Sequence, residues 1–113
     1  MRIVFRVLMI AAVFAVVTAR PAMAQGDAEK GKVVYGAQKC SMCHGIAGVG
    51  NKANPLDGVG KKLSVADIRA WIVTPKEMTA KTKSTKKPPM QDKYGKLPAA
   101  DLDNLVAYMA SLK

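Results

Sequence analysis

Cys40-Ser41-Met42-Cys43-His44 is the stretch on which the reading of this chain turns. On a short helical turn, two thiols three positions apart can reach two vinyl groups on one edge of a porphyrin. A histidine next to the second thiol then lies against the ring face, where a nitrogen can ligate iron. Cys-x-x-Cys-His is the attachment sequence for c-type haem. Other uses of a bare Cys-x-x-Cys fit poorly. A thioredoxin-type redox pair sits in a βαβ setting, which this chain lacks. A structural zinc site usually takes four Cys or His ligands, and Cys40, Cys43 and His44 are the only three in the chain. The motif therefore predicts one covalent haem c, anchored by Cys40 and Cys43, with His44 on the iron.

Upstream of the motif the chain reads as an export signal. Arg2 and Arg6 form a positive start, Val7 to Val17 is an unbroken apolar run of eleven residues, and Ala22-Met23-Ala24 is a small-x-small cleavage site. The run is shorter than the roughly 20 residues a membrane-spanning helix needs. Residues 1–24 are expected to be a cleaved signal peptide and 25–113 a single exported domain, which in a bacterium means the periplasm. An uncleaved anchor is the competing reading, favoured if Arg20 and Pro21 impair processing.

Cleavage after Ala24 leaves 89 of the 113 residues. A domain this small buries a modest fraction of its surface and usually needs a staple or a bound group. A disulfide between Cys40 and Cys43 would close too small a loop to constrain much of the unfolded chain. An attached haem would supply a large apolar plate to a sequence with only 5% aromatic residues. Without Arg2, Arg6 and Arg20, 15 Lys and Arg face 8 Asp and Glu, a net charge of +7. Two ionised propionates would bring this to about +5. Such a balance suits acidic partners or an anionic surface, and export argues against nucleic acid.

The exported part reads as all-α. Asp27 to Lys39 predicts a first helix with Asp27 near its N-terminus. Gly45 to Gly60 holds five glycines and Pro55, so it predicts a loop. Long loops are uncommon in small domains unless wrapped on something. Ser64 can cap a second helix to about Thr74, with Ile68, Trp71 and Ile72 on one face and Pro75 as its stop. Lys76 to Lys96 predicts a lysine-rich loop, with room for a short helical turn. A last helix follows from about Ala99 or Asp101 to Leu112, with Leu102, Leu105, Val106, Met109 and Leu112 on one stripe. No strand, repeat or second domain is expected.

Because His44 is the only histidine, two histidine ligands from one chain are impossible. Methionine, lysine, solvent or an external ligand must fill the sixth position, and a thioether there raises the reduction potential. Met42, Met78, Met90 and Met109 follow the signal. Met42 lies in the attachment turn on the side of the proximal ligand, and Met109 belongs to the apolar stripe of the last helix. Of the remaining two, Met90 is favoured over Met78, because Pro88-Pro89 limit the backbone just before it.

These features cover nearly all of the exported chain and resemble a class I monohaem cytochrome c of the small bacterial type. Gly26-Asp27-Ala28-Glu29-Lys30-Gly31-Lys32, followed by Tyr35 and the Cys-x-x-Cys-His motif, is similar to that family's first helix. Asn104-Leu105-Val106-Ala107-Tyr108-Met109 resembles its last. The resemblance implies a small cytochrome c fold, with three to four helices around one haem and the terminal helices crossing. Gly31 would accommodate Tyr108 at that crossing. It further implies that the Pro55 carbonyl accepts a hydrogen bond from His44 Nδ1, that the axial methionine lies shortly before the last helix, as Met90 does, and that Trp71 approaches a haem propionate. The segment between Pro55 and Gly58 is shorter than in the mitochondrial pattern.

Lys76, Lys81, Lys83, Lys86 and Lys87 precede Met90 with only Glu77 among them. If Met90 ligates iron, they flank the exposed haem edge and can orient an acidic redox partner; Lys39, Lys93 and Lys96 extend the patch. The expected role is one-electron transfer, with no nucleophile, acid/base pair or phosphate loop to suggest an independent enzyme. Two alternatives stay open: a dedicated haem subunit of a larger oxidoreductase, and a sensor or peroxidase with a labile methionine.

Overall fold

A computed structural model describes residues 26–113. The expected signal peptide and its cleavage site lie outside the described residues.

Helix α1 spans Ala28–Ala37. Asp27 begins it, its carboxylate accepting the Glu29 and Lys30 N–H groups at 2.9 and 3.2 Å, a cap worth about 1 kcal/mol. Asp27's own N–H donates to Asn104 Oδ1 at 2.8 Å, so the cap also ties the start of this helix to the last one. After Gln38, Lys39 takes positive φ (55°) and turns the backbone into a 3-10 turn over Cys40–Met42.

The glycine-rich stretch is more regular than expected. Strands β1 (Gly45–Ile46) and β2 (Val49–Gly50) pair antiparallel, Gly45 opposite Gly50 and Ile46 opposite Val49. Ala47 and Gly48 between them both have positive φ, as a two-residue turn that follows strand twist requires. The expectation of no strand is corrected by this small hairpin.

A short helix α2 (Val59–Lys62) precedes α3 (Val65–Val73). Ser64 caps α3 as expected, its Oγ accepting the Asp67 N–H at 3.1 Å. Beyond Thr74 lies α4, Pro75–Thr82, where the sequence predicted loop. Pro75 does not merely stop α3. It occupies the first turn of a new helix, where a missing N–H costs nothing and the fixed φ already suits a helix. A 3-10 turn over Asp92–Lys96 leads to α5, Ala99–Ser111. The described residues thus hold five helices, more than the three to four expected, and remain mostly helical.

The core joins Ile68 and Ile72 of α3 to Leu105, Val106 and Met109 of α5. Val34, Tyr35, Ile46, Leu56, Met90 and Tyr94 are among the half-buried side chains that cover it. Helices α1 and α5 make the most extensive contact between elements. Gly31 is buried there, and a Cβ on it would lie 1.9 Å from the Asn104 carbonyl oxygen and 2.7 Å from Tyr108 Cβ. The crossing is close because residue 31 has no side chain. Tyr35 and Tyr108 meet edge-on beside it, with ring centres 5.7 Å apart. Arg69 pairs with Asp103 to join α3 and α5, and the Gly60 N–H donates to the Leu112 carbonyl at 2.8 Å.

Candidate haem-attachment site

The 3-10 turn sets both cysteines on one short arc. The Cys40 carbonyl accepts the N–H groups of Cys43 and His44 at 3.1 and 2.9 Å, which closes the turn. Both thiols are free, Cys40 half-buried and Cys43 exposed. Burial pushes the Cys40 thiol up from its ordinary value. His44 is half-buried, and burial holds its imidazole below the usual histidine range, against the Asn54 carbonyl, which favours the protonated ring. His44 Nδ1 lies 3.2 Å from the Asn54 carbonyl oxygen. With a proton on Nδ1 donated to that oxygen, the Nε2 lone pair is left for a metal.

The expected Pro55 contact is therefore corrected by one residue. Gly45 bridges Pro55 in parallel fashion, its N–H donating to the Asn54 carbonyl at 3.2 Å and its carbonyl accepting the Leu56 N–H at 2.8 Å. Carbonyls alternate along extended backbone, so the Asn54 oxygen faces the motif and that of Pro55 faces away. Pro55 is exposed.

The four downstream methionines separate by environment. Met42 is 71% exposed, Met109 belongs to the core and Met78 is buried on α4 at 7%. Met90 is half-buried on irregular backbone and packs against the core. Burial, followed by charge on Cys40 and Cys43, raises the Tyr94 phenol, and the Lys93 charge acts against burial at the Cys40 thiol. Lys93 Nζ also lies 5.2 Å from the centre of the Tyr94 ring. Trp71 is half-buried on α3.

Lys76, Lys81, Lys83, Lys86 and Lys87 are all exposed. Two of them are engaged: Lys76 pairs with Asp92 at 3.1 Å, and Lys86 Nζ donates to the Ala53 carbonyl at 3.4 Å. The second contact brings the lysine segment against the loop that carries Asn54. Asn54 and Tyr94 escaped the sequence reading. Asn54 acts through a backbone carbonyl, which carries no mark of residue type, and a half-buried tyrosine near a loop gives no specific signal.

Two free thiols on one turn and an imidazole with one nitrogen engaged form a donor set suited to covalent haem. A family model, Cytochrome c, matches residues 28–113. The chain belongs to the cytochrome c family. Comparison with curated proteins and with solved structures returns no match. As a member of this family the protein is a haem c electron carrier, and Cys40 and Cys43 fit the family's attachment motif. Among the described residues no helix is long and apolar enough to cross a membrane.

Tyr35 gives this cytochrome c a readable alkaline signature. Its hydroxyl donates to the His44 carbonyl at 3.5 Å, and burial, then charge on Cys40 and Tyr108, pushes the phenol up to about 12 from 10.0. The folded protein holds this proton more tightly than the unfolded chain does. The resulting stabilisation is complete below pH 10 and is lost as pH rises toward 12. A thioether at Cys40 removes that sulfur's charge and leaves the burial effect. Thermal midpoints of Tyr35→Phe should accordingly fall less steeply than wild type over this interval. Parallel curves would show that Tyr35 titrates normally.

Proposed function

We propose that this cytochrome c is an exported one-electron carrier whose haem iron is ligated by His44 on one face and Met90 on the other. The observation that supports the reading is the Lys86 Nζ contact with the Ala53 carbonyl, because it draws the segment holding Met90 toward the loop whose Asn54 carbonyl meets His44 Nδ1. Bound haem supplies a ferric–ferrous couple, and the protein sets its ligands, burial and exposed edge. Cys40 and Cys43 would anchor it through thioether bonds, each thiol adding sulfur to one vinyl carbon and hydrogen to the other with no oxidant or reductant consumed. His44 holds its ring in place through the Asn54 carbonyl, and Met90 favours the ferrous state. His44 and Met90 would together hold the iron, so this role calls for no substrate-binding step.

Residues 1–24 direct export to the periplasm and are removed after Ala24, on this reading, which releases a soluble protein. Trp71 approaches a propionate. The exposed lysines Lys81, Lys83, Lys86 and Lys87, with Lys76 sharing its charge with Asp92, orient an acidic redox partner. Complementary charge mainly accelerates encounter.

An absorption spectrum of the mature protein tests the ligation. The ferric state should show the weak far-red charge-transfer band of an iron–thioether bond, and the ferrous state should bind CO slowly at neutral pH. Absence of the band with rapid CO binding would instead support a sensor or peroxidase.

A further inference from the structure

The carbonyl groups of the attachment motif have an unusual common partner. Cys40 accepts hydrogen bonds from within the turn, but the next carbonyls turn outward and meet one residue of the loop. The Asn51 N–H points at both the Ser41 and His44 carbonyl oxygens, at 3.0 and 3.1 Å. Asn51 Nδ2 donates to the Met42 carbonyl at 3.2 Å. Its Oδ1 accepts the Ala53 N–H at 2.9 Å, folding the loop back on itself. One residue outside the motif therefore holds three of the motif's five carbonyls.

The loop reaches this position through a glycine. Gly50 has φ +94°, and a Cβ there would lie 2.4 Å from the His44 carbonyl oxygen. Three residues beyond Asn51, the Asn54 carbonyl meets His44 Nδ1. The backbone and the ring of His44 are thus both held from the same short segment. An asparagine suits this task because it offers a donor and an acceptor on one short planar group, and side chains that orient a metal-ligating histidine are part of the site's design.

We propose that Asn51 is a positioning residue for His44: by clasping the Ser41, Met42 and His44 carbonyls it fixes the segment that sets the plane of the imidazole against the haem. The proposal rests on the reading of His44 as an axial ligand. Asn51 touches no haem atom in this account and acts only through the turn.

The test uses the full chain matured with haem, as wild type, Asn51→Ala, Asn51→Asp and the neighbouring control Lys52→Ala. Proton NMR of the ferric protein reads the four haem methyl shifts, whose spread follows the plane of the axial histidine, while thermal unfolding reads stability alone. Asn51→Ala loses both side-chain bonds, whereas Asn51→Asp keeps the acceptor for Ala53 and loses only the donor to Met42. Both should change the methyl spread, and Lys52→Ala should not. Should Asn51→Ala fail to accumulate with haem, Asn51→Asp carries the comparison. A wild-type methyl pattern in Asn51→Asp, with only a lower melting temperature, overturns the proposal. Failure of the underlying ligation would appear in wild type itself, as ferrous resonances lacking the signature of an iron-bound histidine.

Discussion

Met90→Ala should abolish the far-red ferric band, open the ferrous protein to rapid CO binding and lower the reduction potential. Thioether ligation favours ferrous iron, and axial ligands command a range of roughly 0.8 V, so the fall should be large enough to read in an ordinary redox titration. The informative comparison is Met78→Ala. Met78 is only 7% exposed on α4, and truncating a buried methionine to alanine typically costs about 2–5 kcal/mol. Met90 is half-buried, so its truncation should leave a smaller cavity. The two variants should therefore separate: Met78→Ala melts lower with its spectrum intact, and Met90→Ala loses the spectrum with less loss of packing. If Met78→Ala alone removed the band, the ligand would be Met78.

Gly31→Ala should be the most destabilising small substitution in the described residues' helix crossing. Alanine gains about 1 kcal/mol over glycine in helix propensity. Against that gain, the new Cβ would sit 1.9 Å from the Asn104 carbonyl, whereas ordinary contacts begin at 3.4 Å. Backbone cannot rotate away as a side chain can, so α5 must move by more than an ångström. Overpacking of this kind costs about 1–3 kcal/mol and occasionally more. The displacement also strains the Asp27–Asn104 hydrogen bond and the edge-on contact of Tyr35 with Tyr108. A net loss near the top of that range lowers the melting temperature by roughly 10–25 °C in a domain of this size. Gly36→Ala is the control, because a Cβ at Gly36 meets nothing within 4 Å. It should keep or raise the melting temperature. Equal melting of the two variants would show that the crossing yields easily.

The elements missed in the sequence share a cause. Proline and glycine signal interruption in a sequence, and here they also begin structure. Pro75 ends α3 and starts α4, and Gly48 completes a two-residue turn that lets a hairpin form inside an expected loop. Periodicity served better where a whole face is buried. Ile68 and Ile72, and Leu105, Val106 and Met109, all face the core as their spacing predicted.

What the sequence determined alone is the chemistry that depends on residue type: two thiols at one spacing and a single histidine. Tertiary structure decided the parts that depend on backbone position. Asn54 rather than Pro55 meets His44 Nδ1, and Asn51 meets the carbonyls of the turn. Every residue carries a carbonyl and nearly every one an N–H, so only the path of the chain can say which of them reach the site.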